Sequence, residues 1–128
     1  MSPLSQHIDK SKILVKASWK AAEHLGLKPE QFIKILHLES VDVNLSEATL
    51  MLDPNSKQEE IALILIRIYK AIYTLNGGDI EWIHHFLNSP NLLTGGIPME
   101  QLKSMDGLLS VLNTVESLQQ NVLISQFL

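Results

Sequence analysis

The chain has 128 residues, of which 45% are hydrophobic and 19% charged, and it carries a net charge of −4 and no cysteine. This size and composition predict about one globular domain and exclude a disulfide framework and thiolate chemistry. Because cysteine is absent and the N-terminus lacks the apolar run of a secretory signal, we expect a cytoplasmic protein.

Charge is distributed unevenly along the sequence. Residues 1–40 contain six lysines against four acidic residues, whereas residues 41–128 contain four basic residues against ten acidic ones. Basic surface is therefore predicted near the N-terminus, where the protein would meet any polyanion.

The first predicted helix begins at an N-cap, Asp9 or Ser11, and runs to Leu25, with Gly26 as its end. Three lysines at a spacing of four residues form a basic stripe on it that would suit phosphates: Lys12, Lys16 and Lys20. A solvated helix face is the simpler interpretation, and we prefer it.

A second helix is predicted from Pro29 to Leu36, since proline favours the first helical turn. Small, turn and apolar residues at Ala22, Gly26 and Phe32 fit one register of a helix-turn-helix motif. In the register that we prefer, the first and second predicted helices precede the recognition helix, which is formed by residues 40–48.

The segment that would hold the recognition helix is unsuited to DNA. Residues 35–56 contain no lysine or arginine and four acidic residues, and only Asn44 is well suited to reading a base. A structural helical module with an acidic face is therefore preferred. If DNA does bind, the predicted contacts are four lysines and this asparagine: Lys12, Lys16, Lys20, Lys28 and Asn44.

A central helix is predicted over residues 59–75, where apolar residues occupy nearly every position and indicate burial on all sides. Asn55 or Ser56 is its predicted N-cap, and Asn76-Gly77-Gly78 its end. With 17 residues and two internal basic residues it is too short and too polar for a membrane span, so no membrane association is expected.

The remaining chain is predicted to form three helices, a loop between the first two of them, and a tail. Asp79 is placed to cap a helix that Pro90 ends, residues 91–98 form a turn-rich loop, and Pro98 begins a second helix. Ser104 begins the last helix, which is expected to close at Leu118. The apolar tail, residues 121–128, is then free for a partner.

Over roughly residues 11–120 the chain resembles the Xre/MbcA/ParS antitoxin family, most specifically in its middle and C-terminal segments. The resemblance rests on short motifs at the family's spacing: Arg67-Ile68-Tyr69, Gly77-Gly78-Asp79, Pro90-Asn91, Gly95-Gly96, Pro98 and the run from Ser104 to Leu109. One departure is His37, at a turn position where the family commonly has glycine.

The resemblance implies an all-α protein in which a helix-turn-helix-like bundle, residues 1–56, is joined through the long central helix to a small helical toxin-binding region, residues 57–128. Family members bind and inhibit a toxin, usually a RES-type enzyme that consumes NAD, and many also repress their own operon. The expected toxin-binding residues lie in the loop and the tail: Pro90, Asn91, Gly95, Gly96, Pro98, Ile124, Phe127 and Leu128.

Two alternatives to this interpretation remain open. The first is a stand-alone helix-turn-helix transcriptional regulator. The second is an enzyme, for which Glu81 and His85 are the best candidate residues. No metal-binding, cofactor-binding or catalytic motif is recognisable, and no such site is predicted. A homodimer is expected as well, because the central and last helices together offer more apolar surface than a chain of this size readily buries.

Overall fold

The structure is a computed structural model that describes residues 3–37 and 57–126, with side chains from Ile13 onward in the first range. The regular elements in these ranges are all helices, which confirms the predicted all-α class: α1 (Pro3–His24), α2 (Pro29–Ile35), α3 (Lys57–Asn76), α4 (Ile80–Asn88), α5 (Pro98–Gln101) and α6 (Met105–Ser125). The proposed recognition helix with Asn44, the N-cap at Asn55 or Ser56, and the terminal Phe127 and Leu128 lie outside the described residues.

Helix α3 is the centre of the fold, because it packs against both α1 and α6 in the two most extensive helix pairs of the described chain. One hydrophobic core unites these helices with α2, α4 and α5. Its most buried side chains, with no more than 1% exposure, come from both described ranges of the chain. They include Val15, Leu25, Phe32, Ile61, Leu65, Ile68, Ile72, Leu108, Val111 and Val115. Each such side chain stabilises the fold by about 1.5–3 kcal/mol.

Helix α3 is not buried on all sides, so that expectation is wrong. Leu63 is 48% exposed, and Arg67 and Lys70 are exposed beside it on one stripe at spacings of four and three residues. Two packed neighbours cover only part of a helix circumference. Apolar composition does not exclude such an outer stripe, because folded proteins commonly expose single leucines.

Arg67 ties the exposed side of α3 to α6. Its Nε donates to Glu116 Oε2 at 3.0 Å, and its Nη2 to Oε1 of the same carboxylate at 2.5 Å. The arginine side chain is 55% exposed. Solvent screening therefore limits the contribution of the pair to about 1 kcal/mol or less, and its main effect is to orient the two helices.

Helix ends follow local signals at three of the predicted positions. Gly26 ends α1 with φ +86°, a left-handed conformation suited to glycine. The Asp79 carboxylate accepts from Trp82 N at 3.2 Å at the start of α4, and the Ser104 hydroxyl accepts from Gly107 N at 3.1 Å at the start of α6. These three predictions are confirmed.

Two helix ends were predicted wrongly. Helix α1 begins at Pro3, so Asp9 and Ser11 lie inside it and neither is an N-cap. Proline is itself well placed in a first turn, and polar residues continue a helix where the backbone is already formed. Helix α6 continues to Ser125, beyond Leu118, because the sequence after Leu118 contains no glycine or proline to stop it.

The junction between α5 and α6 is unusually close. A Cβ atom added to Gly107 would overlap the backbone carbonyl oxygen of Gln101. Only glycine allows this approach, so α5 and α6 can lie this close only with glycine at position 107.

Candidate functional site

The residues between α4 and α5, here called the 91–97 loop, form a compact hydrogen-bonded turn. Asn91 and Gly96 pair through an isolated antiparallel bridge, with Asn91 N donating to Gly96 O at 2.9 Å. Gly95 N donates to Asn91 O at 3.0 Å, and Gly95 has φ +87°. A loop closed by its own backbone in this way has little freedom to lose on binding.

The side chain of Asn91 fixes the turn from inside. Its Oδ1 accepts from Leu93 N at 2.8 Å and from Thr94 N at 3.2 Å. This is the arrangement in which asparagine replaces a backbone acceptor within a turn. Asn91 is therefore a positioning residue, and its carboxamide oxygen is already engaged within the loop.

The loop is also bound to the helices beneath it. Thr94 is only 4% exposed, and its carbonyl accepts from Gln101 Nε2 at 2.6 Å and from Ser110 Oγ at 2.8 Å. The Leu93 carbonyl accepts from Thr114 Oγ1 at 3.2 Å. The loop is thus fixed to α5 on one side and to α6 on the other.

What this loop presents to solvent is apolar. Leu92 is 101% exposed and Leu93 67% exposed, although each would gain about 2 kcal/mol from burial. Single exposed leucines are ordinary, but two adjacent ones held on a rigid turn are not. The pair has the form of an anchor for another surface.

A groove beside the loop extends this surface along α6. It has a volume of about 340 Å³ and is lined by residues of the loop and of the helix: Leu93, Asn113, Thr114, Ser117, Leu118 and Asn121. At about 100° per residue, Asn113, Ser117, Asn121 and Ile124 fall within one face, about 16 Å long. Ile124 is 59% exposed, so the groove and the end of α6 form one continuous surface with the loop.

We call this combination the docking surface: Leu92, Leu93, and the α6 face from Asn113 to Ile124. It contains no charged side chain at its named positions, and the sequence from Ser104 to the C-terminus has no lysine or arginine. Carboxamides and hydroxyls on the helix face both donate and accept hydrogen bonds. Its chemistry is therefore that of a protein interface, with an apolar anchor beside neutral polar groups.

The predicted toxin-binding residues divide into three groups. Pro90, Gly95 and Ile124 are exposed, whereas Asn91 and Gly96 are partly buried and serve the internal bonds of the loop. Pro98 is buried at the start of α5, so its side chain is not part of the exposed surface of the loop. It begins a helix, and its ring packs inward instead of facing a partner.

Leu92 and Leu93 were not named among the predicted binding residues, although they lie in the predicted loop. Their signal in the sequence is two leucines that follow Asn91 between helices, where neither belongs to a helical stripe. The two glycines in the same segment predict a turn of the backbone, but they do not predict which neighbouring side chains are exposed.

The predicted DNA contacts are only partly described. Lys16, Lys20 and Lys28 are exposed, the first two on one face of α1. Lys12 lies in the same helix, but its side chain is outside the described part of the chain, as is all of Asn44. The exposed stripe on α1 is compatible with either a solvated face or a weak polyanion contact.

Glu81 and His85, the residues considered for an enzyme, are both exposed on α4. The neighbouring His84 lies against the turn after α1, where a Cβ added to Gly26 would be 2.7 Å from the imidazole Nε2. Residues 3–37 and 57–126 contain no group of three potential ligands that is placed to hold a metal ion. Within the same ranges no helix combines the length and hydropathy needed to cross a bilayer.

No protein-family model matches the chain, and a search of the curated proteins found no significant match.

Proposed function

We propose that this protein is the antitoxin of a type II toxin–antitoxin pair, which binds a RES-type NAD-consuming toxin and occludes its active site. The observation that supports the proposal most is the fully exposed Leu92 on a loop that is hydrogen-bonded in advance of binding. A fixed apolar anchor at the centre of an interface contributes a large share of binding energy. Occlusion requires no chemistry from this chain.

The docking surface suits this task in shape as well as composition. Leu92 and Leu93 project from the turn, while the α6 face continues for about 16 Å toward its exposed end at Ile124. A partner that receives the leucines in a pocket would meet the carboxamides and hydroxyls of α6 around that pocket. Such neutral polar groups supply specificity without the desolvation cost of buried charges.

The direct test is a Leu92→Asp, Leu93→Asp variant. A carboxylate placed in a partner's apolar pocket loses the burial of leucine and is desolvated, so binding should weaken by roughly 30-fold or more, equivalent to about 2 kcal/mol. The measurements are growth rescue on co-expression with the RES-type product of an adjacent open reading frame, and calorimetric affinity for that product.

The matched control is Ile13→Asp, which places the same charge at an exposed apolar residue of α1 that is 67% exposed. This variant should rescue growth fully. Equal rescue by both variants, with the fold intact by circular dichroism, would remove the loop from the inhibitory contact and the proposal would lose its main support.

The runner-up is a stand-alone DNA-binding regulator, which the exposed Lys16 and Lys20 on one face of α1 favour. We nevertheless expect weak DNA binding, because residues 35–56 carry four acidic residues and no basic one. In a mobility-shift titration on the gene's own promoter, no sequence-selective complex should form at physiological salt. Tight, salt-sensitive and selective retardation would instead support the regulator.

If DNA does bind, the salt dependence identifies the contacts. Lys16→Ala and Lys20→Ala should each lower the slope of log K against log salt concentration by about one unit. Lys70→Ala on α3 is the control, since Lys70 is also exposed but lies outside the basic stripe.

A further inference from the structure

A second cavity lies apart from the docking surface, between α2 and α5. Its volume is about 430 Å³, within the range of small-molecule sites. Its apolar wall consists of Leu27, Ile35 and Met99. Leu27 and Ile35 are only 6% and 4% exposed, and Met99 packs against the core, so this wall is fixed by the fold.

The polar side of the cavity is basic. Lys34 comes from the last turn of α2 and Lys103 from the residues after α5, so the fold places two lysines that are 69 positions apart in the sequence on the lining of one cavity. None of the described residues that line the cavity is acidic. Lys103 Nζ contacts Glu100 Oε2 at 2.9 Å, but an ammonium group has three donors and this pair is more than half exposed on both sides.

His37 lines the same cavity with a backbone that is rarely seen outside glycine. Its φ is +57°, and it is the one non-glycine residue with positive φ among the described residues. The conformation is held from both sides, since His37 N donates to Lys34 O at 3.2 Å and Gln58 Nε2 donates to His37 O at 3.1 Å. A left-handed residue directly after the C-cap is a common helix ending, and here it turns the chain so that His37 lines the cavity.

We propose that this cavity is a binding site for a small organic anion with an apolar body, of the size of a medium-chain carboxylate. The hydrocarbon would lie on Leu27, Ile35 and Met99, and the carboxylate would accept hydrogen bonds from Lys34 and Lys103. His37 contributes an imidazole at the same edge. This site is separate from the docking surface, with which it shares no lining residue.

The proposal is tested by titrating the full chain with octanoate, followed by calorimetry and by the methyl resonance of Met99. Saturable binding with a shift of that resonance is expected. Octylammonium, which has the same hydrocarbon and the opposite charge, should not bind, and 1-octanol should bind at least tenfold more weakly. Equal binding of all three ligands would mean non-specific hydrophobic association and would overturn the proposal.

The matched variants separate this cavity from the rest of the basic surface. Lys34→Gln with Lys103→Gln should weaken octanoate binding roughly tenfold or more, since two charge-assisted hydrogen bonds are lost. Lys16→Gln with Lys20→Gln removes the same charge from α1 and should leave the affinity unchanged. Met99→Trp fills the apolar side and should abolish binding with the fold retained by circular dichroism. Failure of octanoate to shift Met99, or equal losses in both lysine pairs, would refute the site.

Discussion

Replacing Gly107 by alanine is expected to lower the free energy of unfolding by about 3 kcal/mol, through overpacking at the junction of α5 and α6. The added Cβ would overlap the backbone carbonyl oxygen of Gln101. A side chain could rotate away from such an overlap, whereas a backbone carbonyl moves only if α5 moves with it. Relief of the overlap would therefore disturb the Gln101 hydrogen bond that holds the 91–97 loop.

Helix propensity alone predicts the opposite sign for this substitution. Alanine is favoured over glycine by about 1 kcal/mol in a helix interior. Gly107 lies three residues after the N-cap Ser104, where the gain is smaller because the first turn is only partly constrained. The steric overlap with a fixed backbone atom is larger than the gain in helix propensity, so the substitution should destabilise the protein.

Urea denaturation followed by circular dichroism would measure the change, and the melting temperature should fall by about 10 °C. Gly96→Ala is the matched control. Its added Cβ would be 3.4 Å from the flexible side chain of Gln101, so a loss below about 1 kcal/mol is expected. If Gly107→Ala were as stable as the original chain, the close approach of α5 and α6 would be refuted.

The parts of the fold that were predictable are those with a local cause. Asp79 and Ser104 begin helices because their side chains satisfy free backbone N–H groups a few residues later, and Gly26 ends one because it adopts positive φ. Each of these needs only neighbouring residues. The sequence therefore placed these ends correctly.

Other features depend on contacts between distant segments. Leu63 is half exposed because neither α1 nor α6 covers that side of α3, and Pro98 is buried because α5 packs onto the core. Neither result follows from the composition of the helix itself. The second cavity is a stronger example, since Lys34 and Lys103 line one cavity only because α2 and α5 lie side by side.

The docking surface was predictable only in part, because it depends both on local turn residues and on contacts between distant segments. The glycines and Asn91 predicted a turn, but the exposure of Leu92 depends on Thr94 being fixed beneath it by Gln101 and Ser110. The continuity with Ile124 depends in turn on α6 extending past Leu118. A tail outside the helix would have had no defined relation to the loop, whereas a helical end presents Ile124 on the same face as the groove.

Because the end of α6 continues the docking surface, we also expect a large effect on binding when the C-terminal segment is removed. If the proposed antitoxin function is correct, deletion of residues 121–128 should leave a folded protein that no longer neutralises the toxin. All the described side chains from Asn121 to Gln126 are exposed, and the buried residues of α6 end at Val115. The free energy of unfolding should therefore change little, while the interface loses the apolar end of its helical face.

A substitution at full length distinguishes a specific contact from a general effect of shortening. Ile124→Asp places a carboxylate on the docking face and should weaken toxin binding roughly 30-fold or more, as a lost anchor of about 2 kcal/mol does. Val122→Asp is the control, because Val122 is 40% exposed on nearly the opposite side of α6 and should neutralise the toxin normally. Growth rescue and calorimetric affinity are read together with a urea melt. Full neutralisation by the truncated chain would confine the inhibitory contact to the loop and the part of α6 before residue 121, whereas loss of cooperative unfolding would show that the segment supports the core.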